Sequence, residues 1–419
     1  MLEIIRKITL FIIVFAFCSN AYLAIWTMYP QVQELYWFIF VFGMSVIFFA
    51  LNPHELLSQM PTSVFVWIIL FIISTIIAFV LSSQSNFVKG ILIFLIKAIS
   101  LFIGMFIIAS SKNTLRSMLY ALLIVAIFGS LMNIAEFFID NMTWSPIPSR
   151  AAGWYMNPNI SGRFLVMSLI FATIVTPKKF FWPLVLLVSI GVFLTFSRTS
   201  WFELLIAIVG LSFIRNIAPG QRVNMLSIRP AGFIALMLGM IISLSLLYLL
   251  FSGQAGELIK GTFFESYLSQ DTIARISGDF TDDSANERTQ VFLGALTIGM
   301  ENPIIGAGLA HTYEWQYPVG PHNDYVLLFA ERGILGLASY LWLLAIIWTF
   351  GSSYSRLYVA ILAFSSIATH TTFEQPGTYI FIAIALLIDN NTIKQVIKTK
   401  VIQEKPKQVA HPLTLALNQ

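Results

Sequence analysis

Residues 284–336 read SANERTQVFLGALTIGMENPIIGAGLAHTYEWQYPVGPHNDYVLLFAERGILG. The stretch gathers Arg288, His311, His322, Glu331 and Arg332 beside turns rich in glycine and proline. Almost everything around it is apolar. Of 419 residues, 58% are hydrophobic, 15% aromatic and only 11% charged, and the mean hydropathy is +0.82. A soluble domain carries roughly 25% charged residues, so this composition is that of an integral membrane protein. Apolar runs of about 20 residues separated by short loops indicate α-helical spans rather than a β-barrel. The sequence therefore predicts an all-α, polytopic membrane protein. Polar chemistry has few places to occur in it, and residues 284–336 are the largest.

Working outward, the apolar runs place spans at 8–27, 35–52, 63–82, 90–110, 116–138, 161–176, 181–197, 200–214, 231–251, 333–350, 355–370 and 377–390, twelve in all. An even number puts both termini on one side, and loop charge selects the side. With the N-terminus inside, fifteen of the 24 basic residues fall on inner segments. These are Arg6, Lys7, Lys112, Arg116, Lys178, Lys179, Arg215, Arg222, Arg229, Arg356 and five lysines of the tail. Eight fall outside: Lys89, Arg150, Arg163, Arg198, Lys260, Arg275, Arg288 and Arg332. Basic residues accumulate on the cytoplasmic side, so both termini are expected in the cytoplasm. The chain then divides into residues 1–251 with nine spans, an outer segment 252–332 carrying the candidate chemistry, three spans within 333–390, and a basic cytoplasmic tail 391–419.

Arg6 and Lys7 precede an apolar run with no small-residue cleavage site after it, so the first helix is expected to stay as an anchor. Cys18, the only cysteine, excludes an intrachain disulfide. Lys97, Glu136 and Glu203 lie within spans, where an ionisable group faces protein or water. Interhelical polar contacts are the expected reading, with a proton relay as the alternative.

Two outer features stand apart from ordinary loops. In residues 140–163, Arg150 and Arg163 flank the turn signal Asn157-Pro158-Asn159. The second feature, residues 252–332, far exceeds an ordinary connection, and loops of that length tend to be functional or disordered. Its aromatics and helical patterning argue against disorder. Ser284-x-x-Glu287 is a capping box, which predicts a helix from Ala285 to about Met300, before Pro303. Arg288 then sits near a helix N-terminus, where free N–H groups and the dipole favour an anion that a guanidinium can clamp. Pairing with Asp282, Asp283 or Glu287 is the plainer alternative. Arg198, in the short link between two spans, is held near headgroup level, either for such an anion or snorkelling to lipid phosphate.

His322, in Gly320-Pro321-His322-Asn323-Asp324, precedes an expected short helix. An imidazole with a pKa of about 6.5 suits proton abstraction from a hydroxyl, although a lone histidine also serves structure. His311, His322 and Glu314 fit no standard zinc spacing, so no metal is expected. Asp279, Asp282 and Asp283 are explained by the helix N-terminus they precede. Arginines at the outer face of an apolar bundle suit a lipid-linked phosphate or diphosphate, and a nearby histidine suits activation of an acceptor hydroxyl.

At these residues the sequence resembles the O-antigen ligases and the related O-antigen polymerases. The matching pieces are NPNISGR at 157–163, SRTSW at 197–201, ERTQVFLGAL at 287–296, NPIIGAGLAHTY at 302–313 and HNDYVLLFAERGILG at 322–336. The resemblance covers about the second half of the chain; the first half matches only in being membrane helices. It implies a GT-C-like membrane glycosyltransferase that takes glycan from undecaprenyl diphosphate at the periplasmic face of the bacterial inner membrane, inverting the sugar without a metal or other cofactor. In that picture His322 is the catalytic base, while Arg198 and Arg288 hold the donor diphosphate. Arg150, Asn159, Arg163, Tyr325, Glu331 and Arg332 are further candidates.

The leading expectation is an O-antigen ligase of lipopolysaccharide biosynthesis. Its partners are the lipid-linked donor, a lipid A-core acceptor and membrane lipids, with no nucleic acid. The alternatives are an O-antigen polymerase, a protein O-oligosaccharyltransferase and, from another class, a lipid-glycan transporter. A transporter would carry its charges at the bilayer midplane, often with repeat symmetry, whereas here they crowd one face without a repeat.

This topology is testable directly. In a Cys18→Ser background, cysteines at Gln254 and Ser284 should react with an impermeant maleimide in intact spheroplasts. Cysteine at Asn224 should react only after lysis. The opposite pattern would invert the protein and remove the outer site.

Overall fold

The computed structural model describes residues 1–51, 60–109, 114–139, 142–216, 283–317, 320–369 and 372–389. The expected span at 231–251, the loop as far as 282 and the tail from 391 lie outside them. Every regular element among the described residues is helical: α1 Leu2–Cys18, α2 Ala21–Met28, α3 Glu34–Leu51, α4 Thr62–Leu81, α5 Asn86–Ile108, α6 Thr114–Phe138, α7 Pro158–Val175, α8 Phe181–Phe193, α9 Arg198–Asn216, α10 Asp283–Glu301, α11 Asp324–Phe350, α12 Ser353–Ser365 and α13 Pro376–Leu387, with short 3₁₀ turns between.

Six of these (α3, α4, α5, α6, α7 and α11) are long and apolar enough to cross a bilayer, or seven spans if α1 and α2 count as one bent pair. The chain is a multi-pass membrane protein. The expected first span, 8–27, is broken by a 72° bend. Asn20 takes a left-handed backbone (φ 60) there and its amide donates to the Trp154 carbonyl at 3.2 Å. Hydropathy continues through the bend, so composition does not reveal it. The expected spans at 181–197, 355–370 and 377–390 overlap α8, α12 and α13, of 13, 13 and 12 residues. Such helices measure about 20 Å, short of the roughly 30 Å of hydrocarbon. α13 has no need to meet lipid along its length, since Pro376–Leu386 are all buried in protein.

The centre of the bundle is α7, buried without interruption from Ser161 to Val175 and packed on α6, α8, α9 and α12. α13 forms a second buried column against α1, α5, α11 and α12. Around them α3 and α4 expose Phe42, Val46, Ile47, Phe65, Ile73 and Val80 outward. That arrangement, apolar on both faces, is what a helix between protein and lipid requires.

α11 contains the most informative departure from regular helix. The sequence places a span from 333, yet the helix already begins at Asp324, and Gly333 is a kink within it (φ 60, ψ −159). At the kink the carbonyls of Ala330 and Glu331 leave the helical ladder. They accept instead from the N–H groups of Ala307 and Gly308, at 2.8 and 3.1 Å. The N–H groups of Ile334 and Leu335 donate to the carbonyls of Pro303 and Ile304, at 2.8 and 3.4 Å. Residues 303–308 are thus spliced into the opened turn. Gly306 permits this approach: at φ +76, a Cβ there would meet the Arg332 nitrogen at 2.3 Å. A Cβ on Gly333 would meet the Ile304 carbonyl carbon at 2.4 Å.

Gly306→Ala and Gly333→Ala should each destabilise the protein by about 1–3 kcal/mol or more, since both strain and overlap are introduced. Gly90→Ala, where a Cβ has nothing within 4 Å, is the control and should be neutral or slightly stabilising. Thermal unfolding in detergent reads all three. Equal midpoints would mean that the splice can open at no cost.

Candidate active site

The segment between α6 and α7 is organised by Glu136 in the last turns of α6. Its carboxylate accepts four backbone N–H bonds, from Trp144 and Ser145 on one oxygen and from Ala152 and Gly153 on the other, at 2.5–2.7 Å. A carboxylate so fully used is a structural anchor, not a free base. It differs from Lys97 and Glu203, which make the interhelical pairs the sequence suggests: Lys97 with Glu34 at 2.8 Å and Glu203 with Arg163 at 3.9 Å.

Arg150, held at the end of this segment, is buried. Its Nε donates to the Thr195 carbonyl and its Nη2 to Asn159 Oδ1, both at 2.9 Å. Ala151 N also donates to the Leu194 carbonyl at 2.9 Å. Arg150 therefore ties the N-terminus of α7 to the turn preceding α9. In that turn Phe196 takes φ 47, which folds the chain tightly enough for α9 to start at Arg198. Arg198 is half-buried at the helix N-terminus. Asn157 caps α7 by accepting from Asn159 and Ile160 N–H.

His322 sits immediately before α11. Asn323 is the N-cap, its side chain accepting from Val326 N at 3.0 Å. The start of α11 is knitted to the end of α12: Asp324 N donates to the Ser366 carbonyl at 2.8 Å, Asn323 Nδ2 to Ile367 O at 3.2 Å and the Tyr325 hydroxyl to Ala363 O at 2.8 Å. The Tyr340 and Ser366 hydroxyls bond at 2.6 Å. The imidazole is half-buried, and burial first, then the positive charge of Arg288, holds its pKa below the usual 6.5. Arg288 projects from the exposed beginning of α10, observed as Asp283–Glu301 where the capping box predicts 285–300. Its side chain is near enough to His322 for the two charges to interact.

Three helix N-termini meet at this end of the bundle. Arg163 in the second turn of α7 pairs with Glu203 in the second turn of α9, and it also acts electrostatically on Asp324, the first residue of α11. The N-termini of α7, α9 and α11 thus lie on one side, with Arg198 at one of them and His322 at another. Helix N-termini carry partial positive charge and unpaired N–H groups, so the region favours an anion.

The remaining candidates are engaged elsewhere. Glu331 accepts from the Thr312 hydroxyl at 2.8 Å and its N–H at 3.3 Å. Arg332 donates to Thr75 Oγ1 at 3.0 Å and lies 5.1 Å from the Phe71 ring centre. Both hold the 303–314 loop and α4 to α11. Leu309 N adds a bond to Ala78 O at 2.9 Å, and Glu314 accepts from Ser83 and Ser85. His311 is exposed on that loop. Two groups stand out that sequence reasoning missed. Asp324 is buried beside the candidate base. Glu374, in the 3₁₀ turn Thr372–Glu374, accepts from the Tyr313 hydroxyl, and burial raises its pKa. Asp324 is two residues from His322, but nothing in its spacing signals that it is buried; Glu374 has no sequence link to His322 and is brought in by the return of α12 and α13.

Among known families, residues 183–341 match the model described as O-antigen ligase. No curated protein matches the chain. The matched region runs from α8 into α11 and includes Arg198, Arg288 and His322 but not α7. Over this segment the chain is similar to the O-antigen ligase family, within a multi-pass membrane protein.

Proposed function

We propose that this protein is a ligase that moves O-antigen from undecaprenyl diphosphate to lipid A-core at the periplasmic face of the inner membrane. One observation carries the proposal: the charge of Arg288 acts on a half-buried His322 at the end of the bundle where the N-termini of α7, α9 and α11 converge. Arg198 and Arg288 take the donor diphosphate. Guanidinium forks and helix N-termini neutralise such a leaving group without a divalent ion. His322, with its pKa held down, is neutral near pH 7 and accepts the acceptor hydroxyl's proton as that oxygen attacks the anomeric carbon. The bond from that carbon to the diphosphate oxygen breaks on the opposite side, its electron pair leaves with the diphosphate, and the sugar inverts. The polymerase reading uses the same residues and differs in its acceptor, a second lipid-linked repeat.

Purified protein in nanodiscs, given lipid-linked O-antigen and lipid A-core, should cap the core and release undecaprenyl diphosphate. Given single lipid-linked repeats alone, it should build no polymer; polymer growth would move the assignment to a polymerase. His322→Ala should lose about 10²–10⁴-fold in rate while still binding donor, and His311→Ala should lose far less. Arg198→Lys and Arg288→Lys should lose most activity, because lysine cannot reproduce a bidentate fork, and chelator should have no effect. Near-normal transfer by His322→Ala would sink the mechanism.

The pH profile gives a separate test. A lowered imidazole pKa keeps the base form populated at neutrality, so kcat/KM should stay level there and fall as pH drops through a value below 6.5. Arg288→Gln removes a positive charge that opposes protonation, so the acid limb of its residual activity should move to higher pH. An acid limb that stays in place would mean that Arg288 does not act on the titrating group.

A further inference from the structure

Three charged side chains are sealed beneath the turn that carries His322. Arg163, Glu203 and Asp324 retain 3%, 0% and 1% of their exposure. They come from α7, α9 and α11, and six of their polar atoms make no regular hydrogen bond to protein: Arg163 Nε and Nη1, both Glu203 oxygens and both Asp324 oxygens. The Ser365, Thr372 and Thr378 hydroxyls stand among them, also without a regular hydrogen bond. Ser365 is within weak hydrogen-bonding reach of Glu203, and Ser366 and Thr372 are within such reach of Asp324, so each carboxylate is partnered only in part. Arg163 and Glu203 approach only to 3.9 Å, too long for a direct bond.

Burying a charge that is only partly partnered is costly, so a packed, dry arrangement of these atoms is disfavoured. A polar space with several unpaired donors and acceptors is where ordered water sits. We propose that Arg163, Glu203 and Asp324 form one water-bridged charge cluster that fixes the first turn of α11 and thereby holds His322 in its working position. The inference rests on His322 being the base. It makes the three residues positioning residues, since none of them touches the reacting atoms.

The mechanical link is short. Asp324 is two residues from His322 through Asn323, whose backbone is extended (φ −159, ψ 111), so the two α-carbons are at most about 7 Å apart. The backbone of Asp324 is fixed from one side by Ser366. Its carboxylate is drawn from the other by Arg163, which Glu203 in turn orients. One guanidinium between two carboxylates therefore couples three helix N-termini: the one that Arg198 begins, the one that Arg150 and Asn159 brace, and the one that His322 precedes. An apolar replacement would pack as well but would leave these helices free to slide relative to one another.

Asp324→Asn and Glu203→Gln keep shape and remove charge. In nanodiscs, Asp324→Asn should lower kcat per folded molecule by about 10²-fold at most, with donor KM within about twofold. Glu203→Gln should act in the same direction and more weakly, because Arg163 still faces Asp324. A cryo-EM map of the wild type should show water between the three side chains, and a map of Asp324→Asn should show the His322 turn displaced relative to Ser366. Wild-type kcat in Asp324→Asn would overturn the proposal. So would a loss explained wholly by less folded protein, or a dry cluster in a map that resolves buried water elsewhere. The maps are read without any transfer assay. Full transfer by His322→Ala would instead defeat the base assignment while leaving the hydrated cluster standing.

Discussion

At Gly333 the hydrogen-bond ladder of α11 opens by two bonds, and residues 303–308 take the vacated places on both strands of the gap. Backbone polar groups inside a membrane protein cannot be left without partners, so this exchange is obligatory rather than decorative. It welds the loop after α10 to the middle of α11, and α10 carries Arg288 while α11 begins just after His322. The same loop is fastened to α4 through Leu309 and to the start of α5 through Glu314. This weld ties the helix that carries Arg288 to the one that follows His322, while the bonds from Asp324 and Asn323 to the end of α12 fix the His322 turn itself.

Seen this way, the glycines of NPIIGAG and ERGILG have one shared cause. Gly306 and Gly333 each lie where a Cβ would overlap the other segment's backbone, and each takes a positive φ that ordinary residues resist. Two motifs some twenty-five residues apart are the two halves of a single joint. Neither would keep its conformation without the other.

Much of the architecture is legible in the chain because hydropathy and helix caps are local. The six long spans follow apolar runs, and the capping box Ser284-x-x-Glu287 places α10 to within two residues. What escapes is set by distant partners. The break at Asn20 depends on the Trp154 carbonyl, and the short α12 and α13 depend on being wrapped by protein, neither of which alters composition. Arginines show the same limit. In sequence Arg150, Arg163, Arg198, Arg288 and Arg332 are five cations at one face. In the fold Arg150 braces a turn, Arg163 faces two buried carboxylates and Arg332 bonds Thr75, while Arg288 stays exposed beside His322. Burial, not residue type, sorts them.

That sorting has a chemical logic for a reaction at a membrane surface. Under the proposed function the donor's diphosphate is carried on a lipid and cannot be drawn deep into the bundle, so the groups proposed to meet it stand at the ends of helices, where solvent and lipid headgroups compete for them. Ends are also where helices fray and move. The protein meets both demands by placing charge at two depths. Exposed or half-exposed cations stand at the rim, and a second tier of buried charge lies one or two turns below, with Arg150 and Glu136 beside it, bridging the same helix ends. Rigidity at the rim is therefore supplied from beneath it. This makes Glu136 informative: by collecting four N–H groups from a segment that has no regular structure of its own, it allows that segment to present Arg150 to the turn before Arg198. A loop without such an anchor would be free to move, and the N-terminus of α9 would lose its brace along with it.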